Sequence, residues 1–206
     1  GLLTKKSIVV IIVEGISGIG KSALAAYFAS TVDRHAYRAF WMDCRNDTSC
    51  DSVISALAVF ERHNGNASLA DILEDVTMSM EDRIARVAAA YAAEKTVLFF
   101  DDYQFVRDPQ ANRLLQKLVE RSLNLKIFLI CRWRPQVIAS ISPLRLVEEP
   151  LRVGLDQQAC YDLMSECGLI LTQETSGKIW KLTGEGHPKA LEIFIARSRT
   201  FPVSEL

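Results

Sequence analysis

Short uninterrupted apolar runs alternate along the chain with longer amphipathic stretches, the pattern of strand–helix–strand units built around a parallel sheet. The run Ile8–Val13 is continuous and rich in β-branched residues, and it predicts a central strand buried on both faces. A helix rich in Ala and Leu follows over Lys21–Thr31, then a second strand over Tyr37–Met42 that ends at Asp43. Apolar groups at 53, 54, 57, 58 and 60 predict an amphipathic helix over Ser52–Arg62. Asn64–Ala67 is a loop, and the next helix starts near Ser68 with Ala70, Ile72 and Leu73 inward. Ile84, Val87, Ala88 and Tyr91 share one face of a helix predicted over Glu81–Lys95. Thr96–Phe100 reads as another buried strand, ending at Asp101 and Asp102. Pro109 opens a helix to about Leu123 that carries Leu114, Leu115, Leu118 and Val119. Leu125–Ile130 is a fourth strand, running into the polar Cys131-Arg132-Trp133-Arg134, and Leu144–Leu151 holds a last, short one.

From Leu155 the periodicity is wholly helical, with helices near Asp156–Cys167, Gln173–Thr183 and His187–Arg199. The change in period predicts two domains: an α/β part over residues 1–153 and a small helical part over residues 154–206.

Composition narrows the class. At 206 residues, 49% hydrophobic and 24% charged, the chain is ordinary globular material, which excludes a disordered tail, a collagen-like rod and a small disulfide scaffold. The net charge of −1 hides no asymmetry: residues 1–150 carry 18 basic and 18 acidic groups, the rest 6 and 7. Neither direct nucleic-acid binding nor attachment to an acidic membrane is expected of such a balance. The five cysteines, Cys44, Cys50, Cys131, Cys160 and Cys167, are odd in number and form no CxxC pair. With only three histidines in the chain, they read as reduced, mostly buried thiols of a cytoplasmic protein rather than as a zinc site. The apolar run Ile8–Val13, like every other in the chain, is far short of the ~20 residues that span a membrane. No secretory signal opens the chain, and a first residue Gly1 in place of Met suggests a piece excised from a longer protein.

The chemistry starts at Gly15-Ile16-Ser17-Gly18-Ile19-Gly20-Lys21-Ser22, which fits GxxxxGK[ST] with a buried strand before it and a helix after it. A phosphate needs converging backbone N–H donors and room for the chain to curl around it. Gly15, Gly18 and Gly20 permit both, and the positive end of the helix entered through Ala23 adds attraction for anionic oxygens. Lys21 supplies a point charge toward the β- and γ-phosphates, and the Ser22 hydroxyl is a ligand for Mg²⁺.

Asp101 and Asp102 stand where a hydrophobic strand meets the top of the sheet. In a phosphate-loop protein that is the place for the acid that holds Mg²⁺ through water, the role assigned to Asp101. Asp102 is then placed to orient or deprotonate an attacking water, with a solvated or capping role as the alternative. The fourth strand ends in Arg132, which would sense the γ-phosphate if that strand lies between the phosphate-loop strand and the acidic strand. Arg134 is a rival for the same task.

With these motifs in order, the chain resembles the STAND class of signal-transduction ATPases, which includes the NB-ARC, NACHT and maltose-regulator-like switches. Val13–Ala25 looks like their phosphate loop, Leu98–Val106 is similar to their double-aspartate strand, and Ile127–Arg132 looks like their sensor strand. Cys131 departs from the Ser or Thr usual before the arginine. Leu182–Leu191 resembles the Gly-x-Pro motif of the helical subdomain, which gives Pro188 an adenine contact; a proline favoured in a first helical turn is the plainer reading. The fold implied is an α/β P-loop NTPase with a five-stranded, mainly parallel sheet of the ASCE type, order 5-1-4-3-2, followed by a small helical subdomain.

The activity implied is an ATP/ADP switch with slow hydrolysis, in which Mg²⁺ and the nucleotide lie between the α/β part and the helical part. The family usually continues into a winged-helix domain and a repeat or sensor region, so those domains, and ATP-dependent homo-oligomerisation through them, are the expected partners. The alternatives are a nucleotide-stabilised interaction module without turnover, a small-molecule P-loop kinase, and a helper ATPase acting on DNA. A kinase needs an arginine-bearing lid over the phosphoryl group, and no convincing one follows the fourth strand. Adenine is implied by the resemblance, and the Asn-Lys-x-Asp string of guanine readers is missing from the chain. His35, His63 and His187 have no assigned role.

Overall fold

The computed structural model describes residues 7–32, 36–75 and 77–199. The chain folds into two compact units: residues 7–14 with 22–150, and residues 15–21 with 151–199.

The first unit is a three-layer α/β/α sandwich. Five strands, β1 (Val10–Glu14), β2 (Arg38–Asp43), β3 (Thr96–Asp101), β4 (Lys126–Cys131) and β5 (Leu146–Pro150), form one sheet in the order β2-β3-β4-β1-β5. Every pairing is parallel. The order is the one implied by the resemblance, 5-1-4-3-2 read from the opposite edge.

Burial follows the strand sequences. β3 and β4 are covered on both faces and are almost wholly apolar, whereas the edge strand β5 ends in the exposed Glu148, Glu149 and Pro150. Charge and a residue without an N–H are what an unpaired edge needs to resist further strand addition. Alternate side chains then serve opposite layers. Ile11, Val13, Val97, Phe99, Phe128 and Ile130 pack with Ala25, Phe28 and Val32 on the face covered by α1 (Lys21–Thr31). There Phe99 and Phe128 stack at 4.8 Å, and Phe28 lies 4.9 Å from Phe128.

Val10, Ile12, Phe40, Leu98, Phe100, Ile127 and Leu129 face the other way. They meet α2 (Cys50–His63), α3 (Ala67–Glu74), α4 (Met80–Tyr91) and α5 (Pro109–Arg121). Ser49 and Ser52 close a capping box at the start of α2, while Ser79 and Asp108 cap α4 and α5, so these three starts have a side-chain acceptor for an orphan N–H. α4 stops at Tyr91, four residues short of the expected Lys95. The carbonyls of Ala92 and Ala93 go instead to Leu123 N and Asn124 Nδ2, which turns the chain into β3.

This layer also holds charge. Glu61 is fully buried, accepts from Arg38 Nη1 at 2.7 Å and from the Tyr91 hydroxyl at 2.7 Å, and so is satisfied rather than stranded. The Tyr91 phenol is pushed well above its ordinary range, first by burial and then by Glu61. Lys126, buried inside β4, donates to the Ile8 carbonyl, and burial holds its ammonium below the ordinary lysine range.

The second unit is helical: α6 (Gln157–Glu166), α7 (Gln173–Leu182) and α8 (Pro188–Ser198) enclose Cys160, Met164, Ile179, Leu191 and Ile195. Asp156, Thr172 and His187 cap the three helices through Ala159 N, Thr175 N and Ala190 N. The Leu155 carbonyl accepts Trp180 Nε1 at 2.9 Å, and Leu155 N donates to Gly186 O at 2.9 Å, so the strand-like entry to α6 is tied to the turn before α8.

Candidate functional site

β1 ends at Glu14 and α1 begins at Lys21, so the phosphate loop is the whole of the connection between them. Gly18 and Gly20 take φ of +78° and +101°, a region that costs a side chain and is open to glycine. Gly15 is needed for a different reason: a Cβ there would run into the Leu151 carbonyl oxygen. Ile19 is buried beneath the loop, while Ile16 and Ser17 are exposed. Lys21 is largely buried and its Nζ donates to the Ile16 carbonyl at 3.0 Å, which folds the ammonium back over the loop. Ser22 and Ala23 are exposed on the first turn of α1.

The loop residues 15–21 belong to the same compact unit as α6–α8, and two hydrogen bonds join them to it. His187 Nε2 lies 3.0 Å from the Ser17 carbonyl, and Lys189 N donates to the Gly18 carbonyl at 3.2 Å. Pro188, between them, has its Cγ 3.8 Å from where a Cβ on Gly20 would stand.

In the sheet unit, parallel pairing of Glu14 with Cys131 and of Phe100 with Leu129 brings the carboxyl ends of β1, β4 and β3 to one edge. Asp101 closes β3 there; its Oδ1 accepts Asp102 N at 2.8 Å, and its carbonyl accepts Cys44 N at 2.8 Å. Asp102 takes the left-handed conformation, φ 52° and ψ 37°, which a short polar side chain tolerates best after glycine. That kink turns the chain out of β3 into a single 3-10 turn, Tyr103–Phe105. Asp102 Oδ1 accepts Gln104 Nε2 at 2.7 Å and lies 4.0 Å from Arg132 Nε.

Gln104 faces both ways, since its Oε1 accepts Arg132 N at 3.1 Å. The Arg132 guanidinium also lies over the Phe105 ring, 5.9 Å from its centroid. Arg134 is drawn away to Glu148 at 2.9 Å, which separates the two arginines that the sequence left as rivals. Gln104 was missed in the sequence, and only its position two residues after the kink could have marked it.

Beside this cluster an open cavity of about 430 Å³ is lined by Asp43, Cys44, Arg45, Asn46, Asp102 and Phe105. The Cys44 thiol is pushed up to about 12, first by burial and then by the carboxylates Asp101, Asp43 and Asp102. A thiol held in its neutral form is no nucleophile, so the cavity wall is chemically inert at that point. Among the described residues no group of three or more His, Cys, Asp and Glu could hold a metal ion by itself. The donors do suit a hard cation that keeps most of its waters and takes one or two protein oxygens: the exposed Ser22 hydroxyl and the Asp101 carboxylate at the end of β3.

Of the three histidines, His187 touches the loop, and His63 lies at the end of α2 with Nδ1 3.1 Å from its own helix's Val59 carbonyl. His35 lies outside the described residues. All five cysteines are free, four of them buried, and no helix among the described residues is long and apolar enough to cross a membrane.

A parallel sheet of this order, with GxxxxGK[ST] between β1 and α1 and an acid at the end of β3, defines a P-loop NTPase fold. Residues 5–132 match the AAA domain family, and the chain belongs to it. No curated protein matches the sequence. The fold recurs in the solved structure of a signal transduction ATPase with numerous domains, a STAND protein with a tetratricopeptide repeat sensor from Pyrococcus horikoshii, at TM-score 0.66 and 22% identity over 92% of this chain. It recurs also in the ORC1 protein of Aeropyrum pernix in complex with DNA (TM-score 0.59, 14% identity, 93% of this chain). AMPPCP-bound DnaA from Aquifex aeolicus is a third such structure (TM-score 0.54, 18% identity, 100% of this chain). The chain spans 28%, 54% and 59% of those three proteins' lengths.

Proposed function

We propose that this AAA-family chain is the nucleotide-binding module of a larger signalling or transcription-regulatory protein, an ATP/ADP switch that hydrolyses ATP slowly. The observation that carries the reading is the placement of β4 between β1 and β3, which lines up the ends of the phosphate-loop, sensor and acidic strands on one edge. In this reading the N–H groups of residues 15–23 cradle the phosphates, Lys21 neutralises the β- and γ-oxygens, and Arg132 reports on the γ-phosphate. Ser22 and Asp101 would hold Mg²⁺, which when bound supplies charge neutralisation on the phosphate oxygens. Asp102 orients the attacking water and takes its proton, with Gln104 and Arg132 setting the direction of its carboxylate. Pro188 provides an apolar surface for the adenine. The phosphate-binding α/β domain is read as residues 1–153 and the helical subdomain as 154–206, with winged-helix and sensor domains beyond.

The connection after β4 argues against a kinase. It folds into two 3-10 turns, Gln136–Ser140 and Pro143–Arg145, with Val137, Ile138 and Ile141 buried in the core. Arg145 is spent on the carbonyls of Val119, Glu120 and Ser122 at the end of α5. A segment anchored in this way is no lid.

Mass spectrometry of nucleotide released on denaturing protein purified without added ligand tests the reading. Retained ADP, lost in Lys21→Ala, is the expected result. An empty site, with fast ATP turnover only when a small acceptor is added, would overturn it in favour of the kinase; retained nucleotide with no turnover would make the chain a non-hydrolysing interaction module.

A further inference from the structure

The start of α8 does more than close the helical unit. His187 caps α8 with one ring nitrogen and reaches the phosphate loop with the other: Nδ1 accepts Ala190 N at 3.4 Å, and Nε2 lies 3.0 Å from the Ser17 carbonyl. A carbonyl can only accept, so Nε2 carries the proton and Nδ1 does not; the two bonds together select one neutral tautomer. Two residues on, Lys189 N donates to the Gly18 carbonyl at 3.2 Å. The space where a Gly18 side chain would be is already filled, since a Cβ there would stand 2.9 Å from His187 Cε1 and 2.6 Å from Lys189 Cβ. All of these contacts lie inside one compact unit.

The consequence follows from peptide geometry. A trans peptide holds its C=O and the next N–H on opposite sides, and no described peptide bond is cis. Tethering the Ser17 and Gly18 carbonyls to the start of α8 therefore turns the N–H groups of Gly18 and Ile19 away from that helix. Those are two of the donors a phosphate loop must present together, with Ile19 N resting on the Ile16 carbonyl at 3.5 Å until a ligand draws it, and buried or crowded carbonyls need donor partners of their own to stay so oriented. We propose that His187 is a positioning residue for nucleotide binding: it presets the donor face of the phosphate loop and couples the loop's occupancy to the helical unit. The proposal rests on the nucleotide-binding reading of the loop for its second half only, because the presetting exists before any ligand arrives. By linkage, whatever stabilises the loop geometry from the phosphate side also strengthens the hold on α8.

His187→Asn separates the two duties of the ring. Asparagine is a good N-cap and keeps the bond to Ala190 N, but its side chain is too short to reach Ser17 as well. Hydrogen exchange on nucleotide-free protein should show the amides of residues 16–20 exchanging at least about fivefold faster in His187→Asn, the factor a single net hydrogen bond carries, with the α8 amides unchanged. ADP affinity should fall by a similar factor through faster dissociation. In His187→Ala the cap is lost too, and the first turn of α8 should exchange faster along with the loop. Loop exchange in His187→Asn equal to wild type would overturn the proposal, as would faster loop exchange with unaltered ADP affinity. If wild-type protein fails to bind ADP at all, the nucleotide reading of the site falls, while the exchange result still decides whether His187 sets the loop.

Discussion

Arg132 approaches Asp102 to 4.0 Å, Nε to Oδ1, and Gln104 is hydrogen-bonded to both residues. At that separation between half-exposed groups the direct ion pair is worth little, so the neutral amide is the better-made contact and the one that sets the carboxylate's direction. Gln104→Ala should therefore lower the ATPase kcat by about tenfold, the lower end of what a mispositioned catalytic group costs, while leaving KM near wild type. Steady-state ATP hydrolysis measures both. An unchanged kcat would remove Gln104 from the positioning of Asp102.

Gly15 is the position where the loop has no room. A methyl there would press on the Leu151 carbonyl oxygen, backbone that cannot rotate aside, and would stand 3.1 Å from Ile19 Cγ2 in the same unit. Gly15→Ala should cost about 1–3 kcal/mol of stability, as overpacking does, and displace the loop enough to weaken ADP binding. Urea unfolding and isothermal titration check the two halves. A variant as stable as wild type would show that Leu151 moves freely.

Glu61 is buried with three partners, Arg38, Tyr91 and Asn66, and no role in the proposed chemistry. Glu61→Ala would leave Arg38 with the exposed Glu94 at 3.0 Å and the Thr96 hydroxyl at 3.3 Å, and would orphan the Tyr91 hydroxyl. Breaking a buried pair from one side costs about 3–5 kcal/mol; Arg38 is a quarter exposed, so the lower end is expected. Denaturant unfolding should show that loss, with nucleotide affinity measured on the folded fraction unaffected.

The strands and the phosphate loop were legible because their signals are local and repeated, whereas the strand order was implied by the family resemblance. Ile8–Val13, Thr96–Phe100 and Leu125–Ile130 are short, apolar and bounded by polar residues, and a GxxxxGK[ST] string between strand and helix has few other uses. The double aspartate was legible by position. What Asp102 touches was not, because its left-handed backbone and the return of Gln104 are properties of the folded turn and leave no period in the sequence. His187 was visible as part of a motif, yet its partner Ser17 is 170 positions away. The early end of α4 was invisible for a related reason: Ala92 and Ala93 are good helix formers, and their carbonyls are taken by Leu123 and Asn124 from beyond the next two elements.

The buried thiols make the fold sensitive to alkali. Cys44 and Cys50 are each pushed up from 9.0 to about 12, first by burial and then by neighbouring carboxylates, chiefly Asp101 for the former and Asp108 for the latter. The raised values belong to the folded chain, so between about pH 9 and 12 the folded state keeps two protons that the unfolded state has released. Folding is then favoured fully below pH 9, and this contribution is lost as the pH rises toward 12. Urea midpoints at pH 8, 9 and 10 should accordingly fall with pH. Cys44→Ala and Cys50→Ala should each flatten that fall while lowering stability at pH 8. In the native protein at pH 8, alkylation followed by peptide mass mapping should label Cys167, the one thiol of the five that is not buried, and spare the other four. Rapid labelling of Cys44 under those conditions would mean that the β2–β3 end opens on the timescale of the reagent, and with it the seat of Asp101 and Asp102.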